Sequence, residues 1–144
     1  MAEVIPIGAD HAGFALKERL KQELKALGYE PLDLGTFSAE STDYPDYAHP
    51  VASQVEQGEA RRGVLLCGTG LGMAYAANRH HGVRAAVAWT PEIARLSRAH
   101  NDSNILVLPA RFVTEQEGLT ILRAWLTQPF EGGRHERRVE KIEP

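Results

Sequence analysis

Residues 64 to 72 read VLLCGTGLG, an apolar run followed by the only cysteine of the chain and then three glycines in five positions. A thiol just before a glycine loop that opens a helix has its thiolate favoured by the helix dipole. The backbone amides of such a loop can hold a second negative charge. A thiolate in that setting is suited to taking a proton from a carbon next to a carbonyl, while the amides stabilise the enediolate oxygen that results. Read without its surroundings, Cys67 is equally a small hydrophobe capping a buried strand.

The loop fails the tests of several familiar phosphate motifs. A Walker loop needs a lysine and a Ser or Thr after its final glycine, where this chain has Met73 and Ala74, so ATP hydrolysis is excluded. The dinucleotide fingerprint is G-x-G-x-x-G with an acidic residue closing the next strand. Here the pattern is G-x-G-x-G and that strand finishes in Trp89. A cysteine phosphatase would carry an arginine six residues beyond its nucleophile, and that position is Met73. A second charged feature is the tail GGRHERRVEK, where Arg134, Arg137, Arg138 and Lys141 gather as a local anion site rather than a polyanion track.

The elements that must position these groups follow from periodicity. At 144 residues, 43% hydrophobic and 24% charged, the chain predicts one soluble globular domain spanning 1–144 with an arginine-bearing segment over about 130–144. A net charge of -3 argues against nucleic acid or anionic membrane as partners. No apolar run reaches membrane-span length and MAEVIPIG has no basic region ahead of a hydrophobic stretch, so a cytoplasmic protein is expected. One cysteine can make neither an internal disulfide nor a thiolate zinc cage.

Strands are predicted at 4–9, 30–34, 63–67, 83–89 and 104–108, alternating with amphipathic helical patterns as βαβ units do. In the first helix Leu16, Leu20, Leu24 and Leu27 form one stripe, with lysines and glutamates on the other side and Gly28 as the stop. A second helix is predicted from about Asp46 to Gln57, with Asp43 and Asp46 as its caps. A third runs from Leu71 to about His80, and a fourth starts at Pro91. The fifth opens with Thr114 and Glu117 in capping-box spacing and ends at Pro129. The expectation is an α/β fold: a three-layer α/β/α sandwich, Rossmann-like, on a five-stranded parallel sheet. In such sheets ligands gather at the carboxyl ends of the strands.

The segments GADHAGF, TDYPDYA, LLCGTGLG, LSRAHNDSN and EGGRHERRV, in this order and over essentially the whole chain, resemble the type B ribose-5-phosphate isomerases of the ribose/galactose isomerase superfamily. The resemblance implies interconversion of ribose 5-phosphate and ribulose 5-phosphate through a cis-enediolate, with Cys67 as the carbon base. It makes Gly68, Gly70, Leu71 and Gly72 the amide cradle and Thr69 the group that moves protons between the two oxygens. The alternative for Thr69 is a simple helix cap. It assigns ring opening to His100, with Asn101 on a substrate hydroxyl. Histidine suits proton transfer near neutral pH.

By the same resemblance Asp10 binds sugar hydroxyls, His11 contributes to the phosphate site and Tyr44 lines the pocket. Asp10 is also a candidate cap for the first helix. Arg134 and Arg138 match the family's phosphate arginines. If the tail is helical, their spacing of four sets both on one face. Arg111 is a weaker candidate for that pocket. His49, His80, His81 and His135 receive no role, no His and carboxylate grouping has metal-site spacing, and neither a metal nor an organic cofactor is expected. Homodimers or homotetramers with shared sites are implied. The rival readings are an allose or galactose 6-phosphate isomerase, a non-enzymatic sugar-phosphate binding module, and a redox sensor on Cys67.

Overall fold

In the computed structural model, which describes residues 1–144, the alternating patterns become five strands and six helices. The strands are β1 (Val4–Ala9), β2 (Glu30–Asp33), β3 (Gly63–Cys67), β4 (Ala85–Val87) and β5 (Ile105–Pro109). The helices are α1 (Phe14–Ala26), α2 (Pro45–Glu56), α3 (Leu71–Ala77), α4 (Pro91–Ala99), α5 (Glu115–Thr127) and α6 (Arg134–Glu140). The sixth helix is the arginine tail. All strands pair in parallel in the order β2-β1-β3-β5-β4. Strands β3 and β5 are buried at every residue, because helices cover both faces of a parallel sheet.

Alternation along the strands divides the core in two. Ile5, Ile7, Val64, Leu66, Leu106 and Leu108 face one layer and pack with Leu20, Leu24, Ala94, Leu122 and Trp125 of α1, α4 and α5. Leu65, Cys67, Ile105 and Val107 face the other and pack with Val51, Met73 and Ala77 of α2 and α3. This is the expected three-layer α/β/α sandwich. Strand order reverses between β1 and β3, so the crevice of the fold opens at their carboxyl ends.

Local signals hold at most helix ends. Thr114 Oγ1 accepts from Glu117 N and the Glu117 carboxylate accepts from Thr114 N, a complete capping box. Thr90 caps α4 ahead of Pro91. Two capping expectations fail: α2 begins at Pro45 with Tyr44 as its N-cap, and neither Asp43 nor Asp46 caps with its side chain. The N-cap of α1 is Gly13, not Asp10. Strand β4 is shorter than 83–89, and at its amino end side chains take up the backbone groups. The Asn78 amide brackets both backbone groups of Ala85, and Asn104 Oδ1 accepts from Arg84 N.

The largest departure lies on α1. Its lysines are not all on the solvent side: Lys17 is completely buried, and its Nζ donates to both Asp33 oxygens at 2.7 Å and to Glu18 at 2.9 Å. The outer edge of the polar stripe turns toward the end of β2, where Asp33 provides the counter-charge.

Candidate active site

The carboxyl ends of β1, β3 and β5 bring one group of predicted residues together. Cys67 is the last residue of β3 and 4% exposed, and it packs into the α2/α3 core cluster. It is therefore a core residue and a strand-end residue at once, with the loop directly after it. Gly70, at φ +80°, is the N-cap of α3, a left-handed conformation that a side chain would strain. Thr69 Oγ1 accepts from Leu71 N at 3.2 Å, a local turn contact within the loop, while the N-cap of α3 is Gly70 and not the threonine.

Glycine at position 72 has a steric reason. A Cβ there would meet Tyr44 Cε1 at 2.5 Å, so the tyrosine ring lies directly over the loop. Arg111, just beyond β5, lies over Gly68: a Cβ at Gly68 would be 3.2 Å from Arg111 Nη1, and Arg111 N donates to Gly68 O at 3.0 Å.

Asp10 closes β1. It is 7% exposed and its Oδ1 accepts from Ala12 N at 3.0 Å and Gly13 N at 3.3 Å, which leaves Oδ2 without a protein donor. His11 Nδ1 accepts from Thr42 N at 3.1 Å, so the proton of its neutral ring sits on Nε2 and faces away from that loop. Thr42 Oγ1 is buried with no hydrogen-bond partner.

His100, Asn101, Arg134 and Arg138 lie elsewhere. Helix α4 leaves the carboxyl end of the sheet and runs back along it, so its C-cap, His100, arrives near the strands' amino ends. There Gly63 N donates to Asn104 O at the start of β3 and β5, whereas Cys67 pairs with Pro109 at their far end. At about 3.3 Å per residue those ends are roughly 13 Å apart. Glu131 N donates to Ala99 O, which ties the approach to α6 to the same far end. A single chain therefore does not unite the predicted site. Arg111 also stands apart from Arg134 and Arg138 within the chain.

Sequence reasoning missed two histidine groupings. His49 Nδ1 and His80 Nε2 are 2.7 Å apart, and His80 Nδ1 meets Glu56 Oε1 at 2.9 Å. His100, Glu131 and His135 also come together, their ligand-type atoms all within 4.8 Å. No His and carboxylate grouping with metal-site spacing was expected from the chain, whereas the fold brings His100, Glu131 and His135 together from two segments distant in sequence. Only the i, i+4 spacing of Glu131 and His135 was visible beforehand. The two imidazole planes of this second group are 11° from parallel and stacked. A cation must lie in the plane of each ring that binds it, and stacked planes share no such point.

The largest cavity, about 570 Å³, is not the site. It lies at the amino ends of the strands beside Arg62, Arg84, Arg98 and Asp102, far from Cys67. Those guanidinium groups are spent on Glu3, Asp102 and backbone carbonyls.

An α/β/α fold that gathers a cysteine-glycine loop, an acidic residue and a histidine at its switch point has the architecture of a small-molecule enzyme. The chain belongs to the ribose/galactose isomerase family, whose model matches residues 5–142. It is 48% identical to ribose-5-phosphate isomerase B of Escherichia coli over 138 residues, 96% of this chain and 93% of that one. A ribose 5-phosphate isomerase from Thermotoga maritima shares 51% identity and superposes with a TM-score of 0.96 over 99% of both chains. The ribose-5-phosphate isomerase B of Mycoplasma genitalium, solved with bound ribulose 5-phosphate, shares 41% identity and a TM-score of 0.95 over 99% of this chain and 95% of that one.

Proposed function

We propose that this protein interconverts D-ribose 5-phosphate and D-ribulose 5-phosphate, with Cys67 as the carbon base. The observation that carries the reading is the placement of Cys67 at the end of β3, beneath the glycine loop, at the point where strand order reverses. The thiolate takes the proton from C2 of the open-chain aldose, and the negative charge passes to O1. Amides of Gly68 to Gly72 hold that charge. Thr69 moves a proton from O2 to O1, and the thiol returns its proton to C1, which leaves the ketone at C2. Asp10 Oδ2 takes a sugar hydroxyl, His11 and Arg111 face the phosphate, and Tyr44 walls the pocket.

Ring opening comes first for the furanose form of the aldose, and His100 carries it with Asn101 on a hydroxyl. Since His100, Asn101, Arg134 and Arg138 stand at the opposite end of the sheet from Cys67, the complete site takes its two halves from two chains. The working unit is a homodimer or homotetramer with shared sites, acting in the cytoplasm. No helix is long and apolar enough to cross a membrane.

Turnover of ribose 5-phosphate and allose 6-phosphate, assayed side by side on purified protein, tests the reading. Rapid conversion of the pentose supports it. Conversion of the hexose alone moves the assignment to a 6-phosphate isomerase, and tight binding of both without conversion leaves a binding module.

A further inference from the structure

His135 has no role in the reading so far, yet its ring lies face to face with that of His100, 4.3 Å between centroids. Glu131 completes the group, its Oε1 at 3.8 Å from His100 Nε2 and 3.7 Å from His135 Nε2. The backbone holds this arrangement in place. Glu131 N is bonded to the end of α4, which also carries His100, and His135 lies one turn beyond Glu131 in the chain. The two rings differ in exposure: the side chain of His135 is 12% exposed and that of His100 is 41%. One ring is the inner platform and the other is the outer face.

Two imidazolium rings stacked at this distance repel, so one proton at most is favoured on the pair. Burial, the charge of His100 and the nearby Arg134 and Arg138 hold His135 below the usual histidine range, although Glu131 opposes them. On the His100 side of the pair, Glu131 is the carboxylate that faces Nε2, at 3.8 Å.

We propose that His135 and Glu131 are positioning residues for ring opening. His135 is the uncharged platform that fixes the His100 ring, and Glu131 is the counter-charge for the imidazolium that His100 becomes. This rests on the assignment of ring opening to His100. In that step the C1–O4 bond breaks and C1=O1 forms. His100 accepts the proton from O1 and delivers one to O4, so no co-reactant is needed.

The two directions of the reaction separate the roles. Ribulose 5-phosphate cannot close a five-membered ring on its ketone, because the oxygen at C5 is esterified, so it enters the site already open. The experiment measures kcat and KM in both directions for His135→Ala, His135→Phe, Glu131→Gln and His100→Ala. The expected result for His135→Ala and Glu131→Gln is a kcat about 10- to 100-fold lower with ribose 5-phosphate and changed less than about twofold with ribulose 5-phosphate. His135→Phe keeps an aromatic face and recovers most of the loss. Helix α6 has no buried residue, so these variants are expected to fold, and a melting curve verifies it.

If His135→Ala lowers both directions equally, or neither, while His100→Ala lowers only the ribose direction, the proposal is overturned and the role of His100 stands. If His100→Ala itself shows no preference for the ribose direction, the assignment of ring opening fails and the proposal falls with it.

Discussion

Tyr44 lies over Gly72 so closely that a Cβ on the glycine would sit 2.5 Å from Cε1 and 2.6 Å from Cζ of the ring. Because Tyr44 is 40% exposed, its ring can swing out without unfolding the chain. Gly72→Ala is expected to displace Tyr44 from the loop and reduce kcat/KM at least about tenfold, with little change in melting temperature, as expected when positioning is lost and the core is kept. Adding Tyr44→Ala removes the clash, so the double variant should be no worse than Tyr44→Ala alone. A strictly additive double variant refutes the steric account.

Cys67→Ser separates catalysis from binding. The substitution is small enough for the buried strand end, but a hydroxyl is a far weaker base than a thiolate. Turnover should drop by about 10²- to 10⁴-fold while the affinity for ribulose 5-phosphate, measured by calorimetry, stays nearly constant. Unchanged turnover would remove Cys67 from the chemistry and leave it as the small core residue its 4% exposure also describes.

Much of this was legible in the chain itself. Buried parallel strands leave continuous apolar runs, and β1, β3 and β5 were found to within a residue or two for that reason. The capping box of α5 was equally plain, since Thr114 and Glu117 interact locally. What stayed hidden depends on contacts distant in sequence. Lys17 sits among residues that read as solvent-facing, and only its 16-residue jump to Asp33 explains its burial. The stacking of His100 on His135 joins two helices 35 positions apart, and no local pattern announces it. Separation of the site into two halves was implicit in the parallel strands, since a helix joining two of them runs back toward their amino ends and carries His100 with it.

The Lys17 and Asp33 pair sets part of the acid stability. Burial pushes the Asp33 carboxyl upward, but hydrogen bonds from Lys17, Lys21 and Gly35 N outweigh it and hold the group below its ordinary 3.8. A carboxyl depressed in the folded state contributes stability that is full above the unfolded value and lost as pH falls through the folded one. Asp33→Asn leaves Lys17 buried with Glu18 as its remaining carboxylate, at a cost on the order of 3 kcal/mol at pH 7. The same variant should lose less than the parent between pH 5 and the acid limit, roughly pH 2. Urea unfolding at both ends of that range checks the two signs, and a deficit that stays constant with pH contradicts the coupling.

Sharing of sites between chains makes a quantitative prediction about mixtures. Cys67→Ala spoils the half-site at the carboxyl ends of the strands, and Arg134→Ala spoils the half-site on α6. In a twofold dimer each site draws one half from each chain, so a mixed dimer holds one site with both defects and one with none. Random assortment of equal amounts makes about half the dimers mixed, and one intact site in each restores roughly a quarter of parent activity. Each variant alone should be nearly inactive, so the recovered rate stands out against the background. Co-expression with two affinity tags, followed by purification of the mixed species, sharpens the value to about half per dimer. If both halves came from one chain, the mixed dimer would contain two damaged sites and show no recovery. Recovery is the outcome expected on the proposed sharing of sites, because the direction of α4 carries His100 and α6 away from Cys67 within one chain.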